Sequence, residues 1–200
     1  NNIRAGIVGG YGHTHISVDD LASSASSQNW SAGVYSGGTW GPRNVRAGGA
    51  YTWNDLETRR RIGFTGFSDY LSGDANAATA QGFAESAYRI RTPWANYEPY
   101  AALAHVQLNR DKFTEQGGAA ALTAASSRMD TTFTTLGLRA ETFTAFGTNT
   151  NIRLSGGIGW RHAFGDTVAQ AKMAFMGGTP FVVTGVSIAQ DALVVELGAD

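Results

Sequence analysis

Charged residues in this chain keep to one side of a period-2 pattern. Arg4, Arg46, Glu85, Arg89, Arg91, Arg139, Glu141, Arg153, Arg161 and Glu196 alternate away from the apolar positions of their segments, with Val194 alone sharing the side of Glu196. Successive side chains of a strand point to opposite faces, so this alternation defines one charged and one apolar face. A dry core cannot be built on the charged face, because burying an unpaired ion costs several kcal/mol. A water-filled lumen solvates the same groups. A soluble antiparallel sandwich or a lipocalin-like barrel also alternates, but it leaves unexplained why the apolar side is made of alanine, glycine and end-placed aromatics.

The apolar positions carry a second regularity. Trp30, Ala32, Val34, Ser36, Gly38 and Trp40 share a parity, so two tryptophans bracket a stretch of small and apolar residues. At about 3.3 Å per residue and a tilt near 40°, their separation projects to roughly 25 Å, the height of the outward apolar band of a transmembrane barrel. Val45, Ala47, Gly49, Tyr51 and Trp53 repeat the pattern, as do Ala80, Gly82, Ala84 and Tyr88, and again Ile152, Leu154, Ile158 and Trp160. Rings with a polar edge suit the headgroup region, so Trp30, Trp40, Tyr51, Trp53, Tyr88 and Trp160 are expected at the membrane interfaces. On the opposite parity Arg46, Glu85, Arg139, Glu141, Arg153, Arg161 and Glu196 are expected to line the lumen. Segment 97–109 is ambiguous: Tyr100, Ala102, Ala104, Val106 and Leu108 suit the apolar side, but Ala101 and Leu103 are apolar too.

Period 2 predicts eight long strands, at 3–15, 28–41, 44–55, 77–91, 97–109, 131–146, 151–163 and 191–200, with helical periodicity weak throughout. Their connections alternate in length. Ser17–Gln28, Asp55–Asn76, Arg110–Asp130 and Gly165–Gln190 are long, the last read as an extended hairpin, whereas Gly41-Pro42-Arg43, Thr92-Pro93-Trp94 and Gly147–Thr150 are tight. All long connections therefore leave one end of the sheet, as in an up-and-down barrel of an outer membrane. The fold class is all-β: an antiparallel up-and-down transmembrane β-barrel.

Composition narrows function further. Net charge is −1 at neutral pH and cysteine is absent, which argues against a broad nucleic-acid surface and excludes thiolate zinc sites, disulfides and thiol catalysis. No apolar stretch approaches the roughly 18 to 20 residues of a spanning helix. His13 and His15 share a face without a third ligand at matching spacing, so a solvated rim explains them better than a metal site. His105 and His162 lack an acid or nucleophile at motif spacing, and the parity His162 shares with Trp160 fits an interfacial place. Gly156-Gly157-Ile158-Gly159 is no phosphate cradle, no GxSxG elbow occurs, and Ser68 and Ser86 read as ordinary serines. No catalytic residue, metal or cofactor is expected. Arg59-Arg60-Arg61, placed in a long loop, reads first as a solvated run and second as a contact for lipopolysaccharide phosphates or an acidic partner. The inward Arg and Glu set reads equally as a ladder touching a threaded polypeptide or as salt bridges within the wall.

An ordered series of blocks resembles the autotransporter β-domain of type V secretion. It comprises Ala5–Gly12 (AGIVGGYG), Val34–Gly41 (VYSGGTWG), Arg46–Trp53 (RAGGAYTW), Glu98–Ala104 (EPYAALA), Phe113–Leu122 (FTEQGGAAAL), Thr135–Ala140 (TLGLRA) and Gly159–Asp166 (GWRHAFGD). The resemblance implies a twelve-stranded outer-membrane barrel of a Gram-negative bacterium that anchors a secreted passenger polypeptide and takes part in its export, with a linker helix in the lumen. It implies outer-membrane lipid and the outer-membrane assembly machinery as partners, and places any catalytic activity in the passenger. Residues 1–200 are then expected to form one β-barrel domain, incomplete at both ends, with eight of twelve strands. The alternative is a stand-alone eight-stranded outer-membrane barrel whose long external loops bind a surface partner.

Overall fold

The computed structural model describes residues 2–18, 23–146 and 150–199. Within them the chain forms β1 (Asn2–Val18), β2 (Ser23–Trp40), β3 (Arg43–Phe64), β4 (Phe67–Tyr88), β5 (Ile90–Arg91), β6 (Asn96–Arg110), β7 (Phe113–Thr114), β8 (Leu122–Ala124), β9 (Ser127–Phe146), β10 (Thr150–Gly165), β11 (Val168–Phe175), β12 (Phe181–Ser187) and β13 (Asp191–Ala199). The main sheet runs β1-β2-β3-β4-β6-β9-β10-β13, every pair antiparallel, with β5 beside β6. It curves into a half-barrel, and a second sheet has the order β12-β11-β8-β7. All eight long strands anticipated from period 2 are present.

They are longer than anticipated, and that corrects the connections. Ser23–Gln28 continues β2 in register with β3, as far as Ser23 opposite Arg60. Asp55–Asn76 is no loop: β3 and β4 stay paired from Arg43 opposite Tyr88 up to Phe64 opposite Phe67, and turn through Thr65-Gly66. Gly66 sits at φ +86° and Gly41 of the β2–β3 turn at φ +59°, conformations that a Cβ disfavours. Arg59-Arg60-Arg61 therefore lies in β3. The Thr92–Trp94 turn is closed by Thr92, whose N–H donates to Ala95 O at 3.0 Å and whose hydroxyl donates to the same oxygen at 2.7 Å. The third tight turn, at 147–149, lies outside the described residues.

The register assigns the faces. Ile7, Val34, Gly49, Gly82, His105, Thr132 and Phe164 follow one another across the wall on one side. Ile7 is 86% exposed, Val34 62% and Val195 60%, while the buried apolar residues of the described chain are Leu71, Ala75, Ala87, Tyr100, Ala121, Ala124 and Ala163. The large apolar side chains thus cover an outer surface. For β6, which the sequence left ambiguous, Ala101 and Leu103 fall on the apolar face and Tyr100, Ala102, Ala104, Val106 and Leu108 on the charged one. Tyr100 turns inward because room exists there. Its register partner is Gly137, whose own partner is Gly159.

That vacancy recurs on the same face. Tyr35 is paired with Gly6 and Phe83 with Gly48, and a Cβ on Gly6 or Gly137 would come within 2.6 Å of the facing tyrosine ring. Part of the high glycine content is thereby explained: each glycine is the seat of a ring lying flat on the wall. Gly137→Val is expected to displace Tyr100 and cost about 1–3 kcal/mol through overpacking. The heat-induced mobility shift of the full-length protein on a denaturing gel should move to lower temperature. An unmoved transition would show that the ring does not depend on this seat.

Candidate functional site

The charged face carries a connected set of ion pairs. Arg46 of β3 and Glu85 of β4 are register partners and form an ion pair. Glu85 also receives both terminal nitrogens of Arg139 from β9, at 2.8 and 3.1 Å, reaching across β6. Arg139 Nε donates to Glu196 of β13 at 3.1 Å, reaching across β10. Between them β10 presents Gly157, while β6 presents Ala102 opposite Glu85, Glu98 opposite Arg139, and Tyr100 between the two. Side chains two strands apart meet where a sheet is concave toward them, so the network and the curvature support each other. The Arg139 guanidinium additionally stacks 3.7 Å from the centre of the Tyr100 ring.

Glu98 completes the cluster. It accepts from Asn44 Nδ2 at 2.7 Å and from Arg89 at 3.3 Å, with Arg139 at 3.9 Å. With Arg89, Asn96, Arg139, Glu141 and Glu196 it lines a cavity of about 310 Å³. Glu141 accepts from Asn96 at 3.1 Å, and Arg161 donates to Thr135 at 3.4 Å, apart from the main network. Arg153 shares the face by register, opposite Phe143. By register Arg46, Glu85, Arg139, Glu141, Arg153, Arg161 and Glu196 share one face of the wall, and Arg46, Glu85, Arg139 and Glu196 join one chain of pairs. Sequence reasoning missed Glu98, Asn44 and Tyr100. The charge of Glu98 was the available signal, since it marks the even parity of β6 as the charged one.

The opposite face carries the aromatics. Trp30 and Trp53 are register partners, with Tyr11 4.7 Å from Trp30 and Tyr51 4.7 Å from Trp53. Trp40 and Tyr88 sit at the other end, both partnered with Arg43. Trp160 of β10 donates to Asp191 at 2.9 Å, and His162 beside it bonds the same carboxylate at 2.8 Å. Trp30 and Trp53 are not at strand ends, contrary to expectation. Beyond them the strands continue and the outward positions turn polar: Asp55, Glu57, Arg59 and Arg61 on β3, opposite Asn76, Asp74, Ser72 and Tyr70 on β4. The inward positions there include Leu56, Ile62, Leu71 and Ala75, the last two buried, beside Arg60 and Asp69. This inversion marks a boundary along the wall. Farther round, the outward polar set is His105, Gln107, Arg128 and Asp130, because register rows climb across tilted strands. His105 Nδ1 bonds Thr132 at 2.9 Å, and the bidentate hydrogen bonds from Arg128 hold the Asp130 carboxyl below the usual carboxylate range. The hydrogen bond to His162, then that from Trp160, does the same for Asp191.

Above the boundary, the inward side of the β3–β4 hairpin is covered by β7 and the segment 115–120 that follows it. Arg60 donates to Glu115 at 2.6 Å and to Ala120 O at 3.1 Å, Glu115 being almost wholly buried. Ser72 and Gln116 exchange backbone hydrogen bonds at 3.0 and 2.7 Å, and Asp69 accepts from Ala120 N at 2.9 Å. The middle arginine of the triple is thus a structural anchor, while its two neighbours face outward. Among the described residues no group of three or more His, Asp or Glu is placed to hold a metal ion; His13 and His15 face outward, opposite Gln28 and Ser26.

A two-faced antiparallel wall with inverted parity above an aromatic row is the plan of an outer-membrane barrel, and the family model described as autotransporter beta-domain matches residues 1–200. The chain belongs to the autotransporter β-domain family. It is similar to two proteins of Serratia marcescens, both described as extracellular serine protease, at 35% identity over 200 residues and 33% over 199, covering 98% of this chain. The chain spans 19% of the length of each. Its fold matches the translocator domain of the autotransporter NalP from Neisseria meningitidis, with a TM-score of 0.66 at 16% identity, over 100% of this chain and 75% of that one. As an autotransporter β-domain it is an outer-membrane β-barrel domain of a Gram-negative bacterium, with a translocator role in passenger export.

Proposed function

We infer that this β-domain contacts outer-membrane lipid through its Trp- and Tyr-bordered face and gives a passenger of the same polypeptide a polar route along its charged face. The observation that carries this reading is the inversion of parity at the Trp30–Trp53 row. A wall that leaves an apolar medium for water no longer needs an apolar outer face, so its outward positions turn polar partway along a continuous strand. Trp30, Trp40, Tyr51, Trp53, Tyr88 and Trp160 are then the interfacial rings, and Arg46, Glu85, Arg139, Glu141, Arg153, Arg161 and Glu196 the lumen lining. Assembly machinery of the outer membrane inserts the strands. A protease activity such as that named for the Serratia relatives would reside in the passenger, not in this wall.

Among the described residues β1 pairs only with β2, and β13 only with β10. In lipid every backbone polar group needs a partner, so the two free edges are proposed to take further strands, which disfavours a closed stand-alone barrel of these eight. The test fuses a small reporter in place of the passenger of the full-length polypeptide. The reporter is expected at the cell surface, cut by protease added to intact cells. A reporter retained in the periplasm beside a heat-modifiable barrel would overturn the translocation reading and return the long hairpins as the functional part.

A further inference from the structure

We propose that the outward face of the β3–β4 hairpin above the Trp30–Trp53 row is a binding site for the phosphorylated sugar headgroups of the outer leaflet, with Arg59 and Arg61 as the phosphate-contacting groups. This rests on the lipid-facing reading above. The two arginines share a parity, which places their Cα atoms about 7 Å apart along the strand on one side. Arg59 is flanked in register by Ser24 and Ser72, whose short hydroxyl side chains leave its side chain 71% exposed and add donors beside it. Arg61 lies 4.7 Å above the ring of Tyr70, its register partner, which orients the guanidinium and offers a face for sugar stacking.

Height identifies the occupant. Arg59 and Arg61 follow Trp53 by six and eight residues, which at about 3.3 Å per residue and a tilt near 40° puts them roughly 15 and 20 Å beyond the aromatic row. A phospholipid headgroup layer is only about 5–8 Å deep, so a headgroup of several sugars is required to reach them. Charge then selects phosphorylated sugars, because a guanidinium takes phosphate in bidentate fashion. Asp55, Glu57 and Asp74 lie on the same face, closer to the tryptophans. Of these Glu57 holds Arg59, at 2.6 Å, and so competes with any phosphate for it.

The experiment uses the full-length protein extracted from outer membranes in mild detergent, titrated with short-chain lipopolysaccharide and with the same material after enzymatic dephosphorylation. Wild type is expected to prefer the phosphorylated form. Arg59→Ser/Arg61→Ser should weaken binding of that form about tenfold while leaving the dephosphorylated form unchanged, and Glu57→Gln should tighten it about threefold by releasing Arg59. Equal binding of both forms by wild type, or an unchanged titration for the double variant, overturns the proposal. If the double variant fails to assemble, Glu57→Gln decides: no gain in affinity sinks the site. An intact heat-modifiable barrel that displays its reporter yet ignores phosphate refutes this inference alone and leaves the translocator reading standing.

Discussion

Val34→Arg is expected to abolish assembly of the heat-modifiable barrel. Val34 lies between Trp30 and Trp40 on the outward parity of β2, with Ile7 and Gly49 beside it in register, and it is largely exposed. An arginine on the lipid face near mid-bilayer costs about 2–4 kcal/mol in barrels of this kind. Gly49 gives it nothing to pair with, and the nearest polar layers lie beyond the two tryptophans. Ser24→Arg supplies the control. It is on the same strand and parity but six residues above Trp30, in the outward polar stretch, where the same substitution should leave assembly within error of wild type. Gel mobility with and without heating, and resistance of the membrane-embedded form to added protease, read both variants. Val34→Arg assembling as well as Ser24→Arg would mean that this face does not meet lipid.

The contrast between those positions also explains what was legible in the sequence. Within the spanning part, period 2 holds with one assignment of faces, and all eight strands were readable from it. Past Trp53 the same strand keeps its period but exchanges its faces, so Asp55, Glu57, Arg59 and Arg61 point outward while Leu71 and Ala75 of the partner strand point in. Read against a single template, the inverted stretch cancels and looks like a polar loop, all the more because three consecutive arginines break any alternation of charge. Tyr100 was hidden for a different reason: Ala101, Ala102, Leu103 and Ala104 make both faces of β6 apolar, so Glu98 alone marks the charged parity in the sequence, and the pairing of Tyr100 with Gly137 shows why the ring fits there. The second sheet was least accessible. Met173–Phe175 of β11 pairs with Leu122–Ala124 of β8 some fifty residues earlier, and no local pattern encodes so distant a partner.

Arg139→Glu is expected to be the most damaging change on the charged face, and it separates the two roles that the inward Arg and Glu set allows. Arg139 is the node: it holds Glu85 at 2.8 and 3.1 Å and Glu196 at 3.1 Å, approaches Glu98 at 3.9 Å, and covers the Tyr100 ring. Reversing its charge places a fourth carboxylate among three, Glu98 being its direct register partner on β6. Because Arg139 remains 24% exposed and Glu196 48%, the loss falls between that of a surface pair and that of a buried one, about 1–3 kcal/mol. High salt should recover part of it, since the screening length falls to about 3 Å at 1 M. Adding Glu196→Arg re-creates one pair and should raise the unfolding transition again. If these pairs staple the curved wall, as their mutual satisfaction indicates, assembly and surface display of the reporter fall together in Arg139→Glu and recover together in the double variant. A double variant that assembles fully but still fails to display the reporter would instead make Arg139 a contact for the moving polypeptide, because only a partner outside the wall distinguishes the original polarity of the pair from its reversal.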